Sequence, residues 1–246
     1  MHIYSRVIVL KRIYICILVL VILVTGIFAG VIANQKINAT IVSSNYLSKH
    51  YPTIIVDAGH GGEDGGASSE SGQLEKNINL DISLTLEKLL KQGGYNVKMI
   101  RSSDISIHNS NAKTTRERKV SDIQNRVKIT NSDKNNILIS IHQNHFSESQ
   151  YFGTQVFYSK NNENSPILAE SIHTAVTSLL QPDNNRKCKE SSNVYLLDHA
   201  NVPAVIVECG FLSNPDEAHK LSQNDYKNNL AYTIYLGIVE YIFLNY

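Results

Sequence analysis

Tryptophan is absent from this 246-residue chain, and cysteine (three), proline (five) and methionine (two) are scarce. So few cysteines cannot build the disulfide framework that holds small secreted scaffolds together. Cys16 lies in an apolar run, which leaves Cys188 in a polar stretch and Cys209 beside a second apolar run. They read as two free thiols. A charge excess is missing as well, with 23 basic residues against 22 acidic. Without a basic footprint, nucleic acid is excluded as a partner. No internal repeat or long low-complexity tract is visible.

Charge is also missing from Ile13 to Ala33, 21 residues rich in Ile, Val and Leu that follow Arg6, Lys11 and Arg12. About 20 apolar residues cross a bilayer, and a basic flank stays cytoplasmic. This predicts an amino-terminal transmembrane anchor with the rest of the chain exported. A cleaved signal peptide is the alternative, because Ala29-Gly30 and Val31-Ile32-Ala33 put small residues near a cut. Either way the expected location is extracytoplasmic. The expected divisions are residues 1–33 as anchor or signal, 34–50 as a polar linker, and 51–246 as one catalytic domain. Beyond Ala33 stand 20 basic and 22 acidic residues, and roughly 195 residues can bury a good core.

Within that domain, apolar runs alternate with helical stripes. Thr53 to Asp57, Ile137 to Ile141 and Ala204 to Val207 read as buried parallel strands. Tyr95 to Ile100, Gly153 to Tyr158 and Asn193 to Leu197 read as further strands. Ile78, Ile82, Leu86, Leu89 and Leu90 form one stripe of a helix from about Glu75 to Gln92. Other helices are expected through Val120–Ile129, from Pro166, after Asn214-Pro215, and over 224–243. Gln181 to Ser192 reads as a loop. The order predicts an α/β domain with a central, mostly parallel sheet flanked by helices.

Ligand crevices in such sheets lie beyond the carboxyl ends of the strands. His60, His142 and Glu208 all fall at or just past the end of a predicted strand, and Glu75 opens the first helix. A catalytic zinc commonly takes three protein ligands and leaves one position open. His60, Glu75 and His142 supply such a set. Zinc brings the pKa of water down to about 7, and a carboxylate beside it can take a proton and pass it to a leaving nitrogen. Glu208 suits that role, since its apolar neighbours Val205, Ile206, Val207, Phe211 and Leu212 raise a carboxyl pKa by desolvation.

Plainer roles exist for each. His60 could be a turn residue in a glycine loop, Glu75 a helix-start charge favoured by the dipole, and His142 a hydrogen-bonded core histidine. Glu208 is harder to dismiss, because an unpaired carboxylate ending a buried strand costs several kcal/mol. His145 is a rival third ligand, disfavoured because residues three apart on a strand face opposite ways. Asn144 is the residue expected to reach the crevice and bond substrate. His173, His199 and His219 fit core or surface roles. Glu63 and Asp64 would line the cleft, and Asp57 would orient a ligand or cap the turn.

The segments Ile54–Ala67 (IIVDAGHGGEDGGA), Leu74–Ile82 (LEKNINLDI), Ile139–Phe146 (ISIHQNHF) and Val202–Leu221 (VPAVIVECGFLSNPDEAHKL) resemble, in order, the motifs of the zinc-dependent type 3 N-acetylmuramoyl-L-alanine amidases. The resemblance covers nearly all of residues 53–242. It implies zinc on His60, Glu75 and His142, catalysis by Glu208, and hydrolysis of the amide joining muramic acid to L-alanine in peptidoglycan. Ile123 to Arg126 resembles the family's LxxR stretch. Many members read SIHANA where this chain has SIHQNH, so Gln143 and His145 bear on the substrate rim. The QNHF form is similar to the spore-cortex amidases, which strip stem peptides so that muramic-δ-lactam can form and serve germination. That likeness implies a deacetylase following in the pathway and leaves an activator protein open.

Two other functions compete. A catalytically silent peptidoglycan-binding or scaffold protein is disfavoured because every metal and acid position is filled. A zinc peptidase would use the same chemistry. A dinucleotide cradle fails on spacing, since a GxGxxG beginning at Gly59 needs glycine where Asp64 stands.

Overall fold

The computed structural model describes residue 18 and residues 21–34 and 51–246. The chain divides into two compact units, Met1–Tyr46 and Leu47–Tyr246. In the first, residues 21–34 form helix α1, with Val21, Ile22, Leu23, Val24, Ile27 and Phe28 exposed. Among the described residues no helix is long and apolar enough to cross a membrane. This corrects the expected transmembrane anchor and the membrane partnership and location drawn from it. The helical run described there, residues 21–34, is shorter than the ~20 residues that cross a bilayer. Residues 13–17, 19 and 20 of the expected span lie outside the described residues, as does the linker beyond residue 34.

The second unit is an α/β sandwich. In chain order its elements are β1 (Thr53–Ala58), α2 (Glu75–Gln92), β2 (Val97–Met99), α3 (Thr115–Thr130), β3 (Asn136–Asn144), β4 (Gln155–Tyr158), α4 (Ser165–Leu179), β5 (Lys189–Glu190), α5 (Tyr195–Asp198), β6 (Ala204–Phe211), α6 (Pro215–Ser222) and α7 (Asn224–Asn245). The six strands are ordered β2-β1-β3-β6-β4-β5. Every pairing is parallel except β4 with β6.

Period-two alternation sends successive strand side chains to opposite faces. Ile54, Val56, Ile137, Ile139, Val205 and Val207 pack one face against Ile82, Leu86 and Leu90 of α2, Leu168 and Ile172 of α4, and Ile234 and Ile238 of α7. Ile55, Leu138, Ala204 and Ile206 point the other way, toward Ile123 and Val127 of α3 and Leu196 and Leu197 of α5. Fully burying each such aliphatic side chain contributes about 1.5–3 kcal/mol. The second layer is thinner, and α3 buries mainly polar residues: Ser121, Arg126 and Thr130. Its start is secured by a capping box in which Glu117 N–H donates to Thr114 Oγ1 at 3.2 Å and Thr114 N–H donates to Glu117 Oε2 at 3.1 Å.

Three expectations need adjusting. Asn193–Leu197 is no strand, because Tyr195–Asp198 forms the short helix α5 and buries Leu196 and Leu197 beneath α3. The stretch read as a loop contains the edge strand β5, two exposed residues with no alternation to betray them. Strands β3 and β6 also run on past their apolar cores, so His142 and Glu208 sit within the sheet's end and face each other in register. Cys188 and Cys209 are both free, as the sequence suggested.

Candidate active site and metal centre

The end of β1 delivers the chain into the loop that carries His60. His60 takes a left-handed backbone, φ 62°, a conformation costing about 1–2 kcal/mol for a side-chain-bearing residue. Two buried arginines hold it there. Arg126 of α3 donates from Nη1 to Ala58 O at 3.1 Å and from Nη2 to His60 O at 2.8 Å. Arg101, which follows β2, donates from Nε to Ala58 O at 2.7 Å and from Nη2 to Gly59 O at 2.9 Å. Three successive carbonyls are thus clamped. Arg126 is paired in turn with Asp57 and with Asp122, and Ser140 Oγ donates to Asp57 Oδ2 at 2.7 Å. Asp57 therefore orients His60 through Arg126.

His60, Glu75 and His142 converge, with their ligand atoms all within 4.8 Å of one another. Glu75 lies in the middle: Oε2 is 3.2 Å from His60 Nε2 and Oε1 is 2.9 Å from His142 Nδ1. Its carboxylate also accepts the N–H groups of Ala67 at 2.8 Å and Gln143 at 3.1 Å, and Asn79 Nδ2 at 3.2 Å. Burial alone would raise its pKa, but the two histidines outweigh that and hold it far below the ordinary carboxylate range. His60 shows the mirror effect. Burial would lower its pKa, yet Glu75 and Asp64, the latter 2.9 Å from Nδ1, raise it to about 9. The cluster thus favours positive charge at its centre. Zinc ligated by nitrogen and oxygen at about 2.0–2.2 Å draws its ligand atoms within about 4.4 Å of one another, so the donor types and spacing fit a zinc ion with small adjustments. Gly66 makes the approach feasible, since a Cβ there would stand 2.5 Å from Glu75 Oε2.

Glu208 lies beside His142 on the neighbouring strand. Its Oε2 is buried and has no hydrogen-bond partner. Burial raises its pKa to about 7, with the Glu75 charge adding to the rise and His142 and His60 opposing it. A carboxyl group that gains and loses a proton near neutrality is thus placed next to the donor cluster.

The other candidates fall around this centre. Asn144 follows a register shift after His142 and spends its Oδ1 on the N–H of His145 at 2.8 Å. His145 is exposed and outside the cluster; it lines a groove with Ser69, Phe146 and His219. Gln143 is buried behind the centre rather than on the substrate rim, donating from Nε2 to Asn79 Oδ1 at 3.1 Å. His173 is buried in α4, whereas His199 is exposed and stacked on Tyr195 at 3.9 Å. Glu63 and Asp64 line the cleft, paired with Arg118 at 2.6 Å and Lys119 at 3.0 Å. Sequence reasoning missed Arg101, Asn79 and the clamp made by Arg126. An arginine directly after a strand that leads toward the crevice was the available signal for Arg101.

An α/β sheet carrying a His-Glu-His donor set beside a shielded glutamate defines a zinc hydrolase. The chain belongs to the Amidase_3 family of N-acetylmuramoyl-L-alanine amidases, whose match spans residues 54–240. It is similar to the germination-specific N-acetylmuramoyl-L-alanine amidase of Bacillus subtilis, at 34% identity over 76% of this chain and 78% of that one. Among solved structures it resembles the CwlD amidase from Clostridioides difficile in complex with the GerS lipoprotein, with 39% identity, 79% of this chain and 100% of that chain covered, and a TM-score of 0.76. A second N-acetylmuramoyl-L-alanine amidase, from Clostridium difficile 630, matches at 28% identity and a TM-score of 0.69, covering 80% and 99%.

Proposed function

We propose that the protein hydrolyses the amide between the muramic acid lactyl group and the L-alanine of peptidoglycan stems, on the extracytoplasmic side, with residues 51–246 as the catalytic domain. The observation that carries this is Glu208: a half-buried carboxylate, its Oε2 buried and unpartnered, aligned with His142 of the donor cluster. His60, Glu75 and His142 would hold zinc, and the bound ion supplies Lewis acidity that polarises a carbonyl and acidifies water. Glu208, with its pKa near 7, takes the proton of the attacking water and delivers it to the departing alanine nitrogen. Asp57 and the two arginines keep His60 in place while this occurs. Asn144, two residues past His142 on β3, would offer its amide nitrogen to substrate. The likeness to a germination-specific relative and the QNHF motif support a place in spore-cortex maturation, where stem removal precedes muramic-δ-lactam formation.

Two measurements test this. Mass spectrometry of purified peptidoglycan after digestion should reveal free stem peptides beginning with L-alanine, and intact muramoyl–alanine links would refute the activity. Deleting the gene in its host should remove muramic-δ-lactam from spore peptidoglycan while vegetative wall stays normal. Full lactam content would refute the cortex role and leave the amidase chemistry standing.

A further inference from the structure

Arg186 differs from the paired arginines around the active site. Arg118 meets Glu63 and Arg126 meets Asp57 and Asp122, whereas Arg186 makes no ion pair among the described residues. It is nonetheless held firmly. Its Nε donates to Phe152 O at 2.7 Å and its Nη1 to Gln155 Oε1 at 3.2 Å. Its guanidinium carbon lies 4.4 Å from the centre of the Phe211 ring and 5.8 Å from that of Tyr151. Nη2 has no hydrogen-bond partner among the described residues. Glu217, whose charge reaches it, is committed to the backbone N–H groups of Phe211, at 2.8 Å, and Gly153.

The location matters as much as the missing partner. Gln155 stands directly opposite Glu208 in the antiparallel β4–β6 pairing, where facing Cα atoms are about 5 Å apart and side chains share a face. The residue that holds Arg186 is therefore the cross-strand neighbour of the proton-transferring residue. Around Arg186, Asn184, Asn185, Gln150 and the carboxylate of Asp183 line a hollow with the rings of Tyr151 and Phe152. A guanidinium preset by two hydrogen bonds and a ring face loses little freedom on binding and matches a carboxylate with its remaining N–H groups. Extended peptide advances about 3.3–3.6 Å per residue. The second and third residues beyond a cut amide therefore lie about 7–10 Å from it, a span over which an arginine hydrogen-bonded to the cross-strand neighbour of Glu208 can meet them.

Resting on the amidase reading, we propose that Arg186 binds a carboxylate on the peptide portion of the substrate and selects stems that carry it. The test uses full-length protein and two synthetic muramoyl peptides identical except that the peptide carboxylates are free in one and carboxamides in the other. The wild type should show a KM about tenfold lower for the free acid, the scale expected of a charge-assisted hydrogen bond. Arg186→Gln should erase that preference by raising KM for the acid alone, with kcat within twofold, and Arg186→Lys should restore part of it. Equal KM values for the two peptides in the wild type would overturn the proposal, as would an equal loss on both in Arg186→Gln. If the wild type cuts neither peptide, the amidase reading fails, and calorimetry with the L-alanyl peptides decides this proposal separately. Tighter binding of the acid than of the amide then supports it; equal binding overturns it.

Discussion

Gly59 and His142 touch so closely that a Cβ built on Gly59 would stand 2.2 Å from His142 Nε2. The carbonyl of Gly59 is meanwhile held by Arg101 and by Asn79 Nδ2 at 3.2 Å, so the loop has little room to retreat. Gly59→Ala should therefore displace the imidazole rather than the backbone. Supporting contacts of metal ligands are typically worth 10- to 100-fold in affinity, and a loss in that range is expected when the variant competes with a chelator for zinc. Unchanged zinc affinity would show that His142 can shift without cost or does not bind the ion.

Metal content gives a second test. Purified protein should contain close to one zinc per chain, and the His60→Ala, His142→Ala double variant should contain almost none. Retention of a full equivalent in the double variant would place the metal elsewhere.

Glu208→Gln preserves shape but cannot move a proton. The variant should fold, bind zinc as the wild type does, and lose about 10²- to 10⁴-fold in amide hydrolysis, the usual worth of general acid–base help. Near-normal turnover would assign Glu208 a structural role.

The buried pair of Asp57 and Arg126 should matter for stability. Although burial opposes it, Arg126 and the Ser140 hydroxyl hold the Asp57 carboxyl below the ordinary carboxylate range. Its stabilisation is therefore present above about pH 4, the unfolded-state value, and disappears as pH falls through the lower folded-state value. Arg126→Met leaves Asp57 charged and unpaired, and breaking such a pair typically costs about 3–5 kcal/mol. Denaturant melts at pH 7 should show that loss, and the gap to wild type should narrow toward pH 3. A gap independent of pH would mean that packing, not the charge pair, accounts for it.

Much of the fold was legible because burial leaves a pattern. The runs around Ile54, Ile139 and Val205 are apolar on both faces, as strands covered by helices on each side must be, and the stripe from Ile78 to Leu90 repeats at helical spacing. Where burial leaves no pattern, reading failed. Strand β5 is two exposed residues, and α5 is too short to show a period. The apolar run at Ile13–Ala33 misled in a different way, since hydropathy alone predicted a membrane-crossing helix that the described residues do not form.

By itself the sequence determined the donor types, their order along the chain and the strand ends that would carry them, because residue identity sets ligand chemistry and periodicity sets which segments are buried. Only the tertiary structure decided which atoms meet. Glu75 reaches both histidines because α2 begins where β1 and β3 end. His60 keeps its left-handed backbone because arginines from two distant segments, after β2 and in α3, bind the carbonyls around it. Glu208 is shielded, and its pKa raised, because β6 lies against β3 in a register that sets it beside His142. Contacts of this kind join residues far apart in the chain, and their strength depends on burial and distances that exist only once the sheet is assembled.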